Sequence, residues 1–169
     1  VNNLQASTHP ECYKLCSLEE EKNLWVRNKA CPGCPIHDRQ IALIRDGEYA
    51  GAMEKGPCYY ATLALGSNCG VFDIKSVTVL TYLTDKLGID LGSVGNTLSW
   101  AMECYQRGIL SREDLDGIEL KWGNASAMIE IMKKIAQRDG IGDLLAEDSE
   151  RAAKKIGKGS ERYLLTVKG

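Results

Sequence analysis

Apolar residues recur every three or four positions over most of the chain from residue 74 onward, which is the spacing of one helix face. The clearest such stripe consists of Ile74, Val77, Leu80, Leu83 and Leu87. Asp73 precedes this stripe as a predicted N-cap, and Gly88 follows it as a predicted C-terminal stop. The pattern therefore predicts one amphipathic helix between these two residues.

Three further stretches show the same helical spacing. The first opens at Gly92 and Ser93 and stops at Gly108. The second follows Asn124, a predicted N-cap, and the third begins at Gly142. We therefore expect the second half of the chain to be built mainly from helices that glycines separate.

The first half of the chain is more polar, and its pattern is mixed. A short helix is expected over residues 18–26. Apolar residues 41–44, followed closely by an Asp-Gly pair, predict a strand and a tight turn, and so a small β-hairpin. A further short strand is expected over residues 163–167. The predicted fold class is mainly α, with one helical domain over residues 1–169 and a small β-hairpin.

The composition weighs against several classes of protein. The formal net charge is −2, so no strongly basic surface points to nucleic acid, and no apolar run is long enough to cross a membrane. Seven cysteines, an odd number without the spacing of a secreted disulfide framework, favour a reducing compartment such as the cytoplasm and a metal site. The chain starts without methionine and ends abruptly, which fits a fragment of a longer protein.

The most distinctive short motif is CPGCPIHD at residues 31–38. Cys31 and Cys34 are close enough for two thiolates to bind one metal centre, and thiolates suit iron–sulfur clusters and zinc. Asp38 stands at the next ligand position and could supply a carboxylate. By itself the cysteine pair is also compatible with half of a zinc site, a redox dithiol or a disulfide turn. The sequence has no second CxxC, which weighs against zinc.

Two downstream segments complete a recognisable pattern with residues 31–38. Residues 85–90 read DKLGID, of the form D-x-x-G-[LI]-D, and residues 100–108 read WAMECYQRG. Together the three motifs resemble the tungsten-containing aldehyde ferredoxin oxidoreductase family. Further similarity lies in residues 64–70, 135–146 and 167–169. The resemblance covers nearly the whole chain.

This resemblance implies a fold and a set of cofactors. The chain is similar to the middle helical domain of a longer enzyme, whose other domains are missing here. The family's cofactors are a tungsten or molybdenum bis-pyranopterin and a 4Fe-4S cluster. Cys31, Cys34 and Asp38 are implied to ligate the cluster, with the fourth ligand on a missing domain.

The segment at residues 85–90 is implied by the same resemblance to bind the pyranopterin. Asp85 and Asp90 would accept hydrogen bonds from pterin N–H groups, for which carboxylates are suited. Gly88 and Ile89 would allow the backbone to approach the ring closely. Residues 100–108 are interpreted as packing rather than as part of the site.

The chain departs from the family's pattern at two places. Many members have a third cysteine where this chain has Asp38, so either Asp38 or, as an alternative, His37 would ligate iron. Aldehyde-oxidising members resemble GPEYE where residues 56–60 read GPCYY, and one of those glutamates is thought to transfer protons near the metal. Cys58 is expected to be a catalytic residue that ligates tungsten, or otherwise a small buried residue. A cysteine here resembles the tungsten subunit of class II benzoyl-coenzyme A reductase.

The expected function is that of part of an oxidoreductase that converts aldehydes to carboxylic acids. Ferredoxin or another electron carrier, the missing domains and a homo-oligomeric copy are the expected partners, and an anaerobic source is implied. Reduction of an aromatic acyl-coenzyme A is the first alternative, because of Cys58. The second is a non-catalytic helical module that binds zinc or no metal.

Overall fold

The helices of the second half lie close to where the sequence pattern predicts them. The computed structural model describes residues 1–166; the motif at residues 167–169 lies outside that range. The helices are α1 (Ser17–Asn23), α2 (Tyr59–Ala61), α3 (Ile74–Leu87), α4 (Leu91–Gln106), α5 (Ala125–Gln137), α6 (Ile141–Leu145) and α7 (Ser149–Ile156). Single π or 3₁₀ turns occupy Cys12–Leu15, Thr62–Gly66, Ser67–Cys69 and Ser160–Tyr163.

Side-chain caps fix the starts of the two clearest helices. The Asp73 carboxylate accepts a hydrogen bond from the Ser76 backbone N–H at 2.8 Å and begins α3. The Asn124 side chain accepts one from the Ala127 N–H at 3.2 Å and begins α5. Gly88 ends α3 with a φ of 68°, a left-handed conformation that favours glycine. All three sequence predictions are confirmed.

The central helix of the core is α4. Its Leu98, Trp100 and Met102 side chains are at most 1% exposed, and the helix contacts the segment at residues 62–69 and α7. Gly95 allows the closest of these approaches, because a Cβ at this position would lie 2.8 Å from the carbonyl oxygen of Ala64.

The motif at residues 100–108 packs the core, as predicted. The indole N–H of Trp100 donates to the Ser160 carbonyl oxygen at 3.0 Å. The buried Glu103 carboxylate accepts hydrogen bonds from the Arg107 Nε at 2.8 Å and from the Asn3 side-chain amide at 2.8 Å. The motif therefore fastens both ends of the described chain to α4.

The expected hairpin forms part of a three-stranded antiparallel sheet. Its strands are β1 (Trp25–Lys29), β2 (Arg39–Leu43) and β3 (Met53–Lys55), with β2 in the centre. The predicted hairpin corresponds to β2 and β3. The expectation of a helix over residues 18–26 is wrong at its end, because the aromatic and β-branched pair Trp25 and Val26 enters the sheet instead.

Two other expectations need correction. The single helix expected from Gly142 is broken in two, since Asp148 caps a new helix by accepting a hydrogen bond from the Arg151 N–H at 3.0 Å. The strand expected over residues 163–167 is not formed by residues 163–166, and its last residue lies outside the described range.

Among residues 1–166, no single helix has both the length and the apolar composition needed to cross a membrane. The segments Tyr59–Cys69 and Ile74–Leu87 meet those criteria only as a pair, and the pair is bent by 112°.

Candidate metal and cofactor site

The predicted ligands on the first half of the chain gather at one end of the sheet. Residues 30–38 form the loop between β1 and β2, and the pairing of Lys29 with Arg39 closes that loop at its base. The chain leaves β3 at the same end, where the Gly56 N–H donates to the Gln40 carbonyl oxygen at 2.7 Å. Antiparallel pairing therefore brings the loop that carries the CxxC motif next to the segment that carries Cys58.

Cys31 and Cys34 form an accessible pair of thiols. Both side chains are exposed, and neither is in a disulfide. The Cys34 N–H donates to the Cys31 carbonyl oxygen at 3.0 Å, which closes a tight turn, and Gly33 in that turn has a φ of 74°. This turn presents two soft ligands at the surface, and thiolates are suited to zinc and to iron–sulfur clusters.

Asp38 is not gathered with these two thiols. Within residues 1–166, no three side chains of histidine, cysteine, aspartate or glutamate form a group that could hold a metal ion. Asp38 instead lines a cavity of about 350 Å³ that Cys58 also lines. The two cysteines thus fit a partial ligand set, while the ligand role of Asp38 stays a prediction.

Arg39 lies among three of the predicted ligands. The pKa of its guanidinium is raised, first by a hydrogen bond with the Cys31 side chain and by the charge of that group, with smaller contributions from Cys58 and Asp38. Arg39 lines the cavity with Asp38 and Cys58, called here the Cys58 cavity. It also lines a neighbouring cavity of about 390 Å³ that contains Cys31, called here the Cys31 cavity. One cation therefore connects the two cavities.

Cys58 is exposed and does not adopt the alternative role of a small buried residue. It stands directly before α2, and its backbone is extended, with a φ of −72° and a ψ of 169°. Its neighbours Tyr59 and Tyr60 are 83% and 52% exposed, although both are large and partly apolar. The thiol is thus accessible from outside the described fold.

The segment at residues 85–90 joins α3 to α4 and lies on the surface. Asp85 belongs to the last turn of α3, and its carboxylate is 3.0 Å from the Lys55 Nζ on β3. Ile89 is half-buried, and its N–H donates to the Thr84 carbonyl oxygen at 2.9 Å. Apart from the residues next to it in the chain, nothing lies within 4 Å of the place that a Cβ on Gly88 would take, so this turn is open to a ligand.

Asp90 already has a structural task, because it is the N-cap of α4. Its carboxylate accepts a hydrogen bond from the Ser93 N–H at 2.7 Å, and hydrogen bonds from Ser93 are the main cause of its lowered pKa. The carboxylate remains exposed, so a second set of donors could still reach it. The sequence analysis did not identify this cap, because it placed the start of the helix at Gly92.

Lys55 links the two halves of the predicted site. It lines the Cys31 cavity and forms the ion pair with Asp85. A second ion pair joins the same two elements, with Lys86 Nζ 3.4 Å from Glu54. The CxxC loop and the segment at residues 85–90 are therefore on the same side of the molecule.

Glu20 is a carboxyl group of the site that the sequence analysis missed. It is only 6% exposed, lies on α1 and lines the Cys58 cavity. Burial raises its pKa to about 7. The sequence does not indicate which of the three consecutive glutamates is buried. In the structure Glu20 is buried, and the other two are partly or fully exposed.

Comparison with known proteins gives a consistent result. The family model described as aldehyde ferredoxin oxidoreductase, domains 2 and 3, matches residues 1–169. The chain is 40% identical, over its whole length, to an aliphatic sulfonate oxidoreductase, WOR-like subunit, of Pyrococcus furiosus. It is 37% identical, over 93% of its length, to a tungsten-containing aldehyde ferredoxin oxidoreductase of the same organism. It spans 28% and 26% of these two relatives.

A solved structure shows the same fold. It is the active site complex BamBC of benzoyl coenzyme A reductase with 1,5-dienoyl-CoA, which matches 96% of this chain with a TM-score of 0.75 and 25% identity. The chain covers 24% of the matched chain. The similarity therefore extends over almost all of this chain but over only a quarter of its larger relatives.

Proposed function

Since the chain belongs to the aldehyde ferredoxin oxidoreductase family, we propose that it is the middle helical domain of a tungsten-dependent, iron–sulfur oxidoreductase. One observation carries this proposal: the exposed thiols of Cys31 and Cys58 line adjoining cavities at one end of the sheet, with Arg39 in the wall of both. The family membership says which cofactors such thiols serve. The remaining three quarters of the protein would supply the other contacts.

Cys31 and Cys34 would hold a 4Fe-4S cluster, with Asp38 as the third ligand from this chain and a fourth from another domain. The cluster supplies one-electron transfer. The exposed turn is suited to this role because its two thiols face outward, where a ligand from another domain can complete the site. Arg39 would offset part of the negative charge of the thiolates, and cluster potential depends on such nearby charge.

The segment at residues 85–90 would bind a tungsten or molybdenum bis-pyranopterin. The exposed carboxylates of Asp85 and Asp90 would accept pterin N–H groups, and the open turn at Gly88 and Ile89 would let the ring lie against the backbone. Binding at Asp85 requires its ion pair with Lys55 to open or to be shared. An exposed pair of this kind contributes only about 0–1 kcal/mol, so its loss is a small cost.

The reaction is proposed to be the oxidation of an aldehyde to a carboxylic acid, with ferredoxin or another carrier accepting the electrons. The identity to tungsten-containing aldehyde ferredoxin oxidoreductases supports this choice. A reducing compartment, such as the cytoplasm of an anaerobe, suits seven cysteines, none of which forms a disulfide. That the protein forms a homo-oligomer is likewise proposed from its resemblance to the family.

A specific observation favours a second candidate, the reduction of an aromatic acyl-coenzyme A. Cys58 is an exposed thiol at the position where the resemblance to aldehyde-oxidising members implies a glutamate. A soft thiolate ligand at tungsten would change the metal's electronic properties. The fold match to the benzoyl coenzyme A reductase complex supports this candidate.

Activity assays on the anaerobically purified full-length protein decide between these reactions. We expect aldehyde-dependent reduction of a viologen dye; dye-dependent reduction of benzoyl-coenzyme A without aldehyde turnover would instead establish the second candidate. Cys58→Ala is expected to lower the turnover number at least about 100-fold, since even indirect contacts to a metal are worth 10- to 100-fold.

A matched control for Cys58 is Cys16→Ala, because Cys16 is also exposed but lines neither cavity. It should retain wild-type turnover. The isolated 169-residue chain should show no turnover and no complete cluster, since ligands from the other domains are missing. Turnover of neither substrate by the metal-loaded full-length protein would refute both candidates, and a full-length protein that holds only zinc or no metal would leave the non-catalytic module.

A further inference from the structure

Glu20 is the buried carboxyl group at this site that the proposed mechanism does not use. Its oxygen Oε1 lies where a Cβ on residue 56 would stand, so the Glu20 side chain packs directly against the Gly56 backbone. Gly56 and Pro57 lead directly to Cys58, and all three residues line the same cavity as Glu20. A helix outside the CxxC and D-x-x-G motifs therefore contributes an acid to the wall next to Cys58.

We propose that Glu20 is the carboxyl group that exchanges a proton with the substrate in the Cys58 cavity. This inference rests on the proposed oxidoreductase function. The chain has Cys58 and Tyr60 at the two positions where the resemblance to aldehyde-oxidising members implies glutamates. Residues 56–60 therefore carry no carboxylate of their own. Glu20 supplies one from α1 instead.

Gln40 makes both charge states of Glu20 tolerable. With its amide nitrogen toward Glu20, Gln40 donates to Oε1 at 2.9 Å and to Oε2 at 3.0 Å, which stabilises the carboxylate. With the amide turned over, its oxygen can accept the proton of the carboxylic acid. An amide partner therefore does not fix the charge of Glu20, whereas a guanidinium partner would.

The surroundings of Glu20 favour exchange near neutral pH. Arg39 and Asp38 line the cavity beside it, and Cys58 lines it from the loop after β3. Burial is the cause of its raised pKa, and the two hydrogen bonds from the Gln40 amide act in the opposite direction because they favour the carboxylate. A general acid or base acts best when its pKa lies near the working pH, and a value of about 7 meets this condition.

In aldehyde oxidation, Glu20 takes up the proton that the attacking water loses. A bond forms between the water oxygen and the carbonyl carbon, one water O–H bond breaks, and its proton goes to the Glu20 carboxylate. The aldehyde C–H bond breaks, its two electrons pass one at a time to two molecules of the one-electron carrier, and its proton goes to solvent. The carboxylic acid product keeps the second water hydrogen, and Glu20 then releases its proton through the cavity.

The test compares Glu20→Gln with the wild type in the metal-loaded full-length protein. Glutamine keeps the size of the side chain but cannot exchange a proton, so the turnover number should fall by about 10²- to 10⁴-fold. The ionisation near pH 7 should vanish from the pH profile, while tungsten and iron contents stay unchanged. Glu20→Asp should recover part of the turnover. Glu21→Gln, an exposed change on the same helix, should behave like the wild type.

A second readout does not depend on activity. Burial raises the pKa of Glu20 from 4.5 to about 7, so the folded state holds a proton that the unfolded state loses. The folding equilibrium constant of the wild type should therefore fall, relative to Glu20→Gln, by up to about tenfold per pH unit as the pH rises from 4.5 to 7. Urea unfolding at several pH values measures this difference.

Three results would overturn the inference. The first is a Glu20→Gln variant with wild-type turnover and an unchanged pH profile. The second is a loss of metals in that variant, which would make Glu20 a residue that only supports the loop. The third is a stability difference that does not change with pH. An inactive wild-type protein would instead refute the proposed function, so the two failures are distinguishable.

Discussion

Replacing Cys31 with alanine in the full-length protein is expected to remove most of its iron and acid-labile sulfide and to lower turnover more than about 100-fold. Indirect contacts to a metal are already worth 10- to 100-fold, and Cys31 is a proposed direct ligand. The thiol has no partner in a disulfide and is exposed, so its removal should leave the fold intact. Iron analysis and electron paramagnetic resonance of the reduced protein measure the loss.

Cys12→Ala is the matched control for this change. Cys12 is likewise exposed and free but belongs to a 3₁₀ turn outside both cavities, so its variant should keep iron and turnover. Tungsten content should stay near wild type in both variants, because Cys31 is proposed to serve only the cluster. Wild-type iron content in Cys31→Ala would show that the CxxC turn does not bind the cluster.

Trp100→Ala is expected to destabilise the protein by about 3–5 kcal/mol, the usual cost of truncating a buried aromatic residue. Trp100 is 1% exposed, and its indole N–H donates to the Ser160 carbonyl oxygen at 3.0 Å. The change would leave a cavity in the core beside the middle of α4, and the buried carbonyl oxygen of Ser160 would lose its donor. Urea unfolding followed by circular dichroism gives the free energy of unfolding.

Trp25→Ala serves as the comparison for Trp100. Trp25 is 38% exposed, and its indole donates to the neighbouring Asn28 side chain, so its truncation should cost less than about 1 kcal/mol. Equal effects of the two changes would contradict the assignment of residues 100–108 to core packing. A role of Trp100 in cofactor binding would show instead as metal loss without a change in stability.

The helices could be predicted because their signals are local. The stripe in α3, the cap at Asp73 and the left-handed stop at Gly88 all lie within one segment of sequence, and the structure confirms them. β1 was missed for the same reason. The conformation of Trp25 and Val26 is decided by pairing with β2, which comes later in the chain, and nothing in the sequence near them indicates that partner.

The site could be predicted only in part. The sequence indicated the cysteines and aspartates, since their spacing forms motifs that can be recognised along the chain. It did not indicate Arg39 between the two cavities, Lys55 beside Asp85 or the burial of Glu20. Each of these depends on elements that are distant in sequence and meet only in the folded chain.

The most direct test of the central claim is metal analysis of the full-length protein, purified without oxygen. We expect tungsten or molybdenum together with iron and acid-labile sulfide, because Cys58 and the segment at residues 85–90 are proposed to serve one centre and the CxxC turn the other. A protein that contains zinc alone, or neither tungsten nor molybdenum, would contradict it.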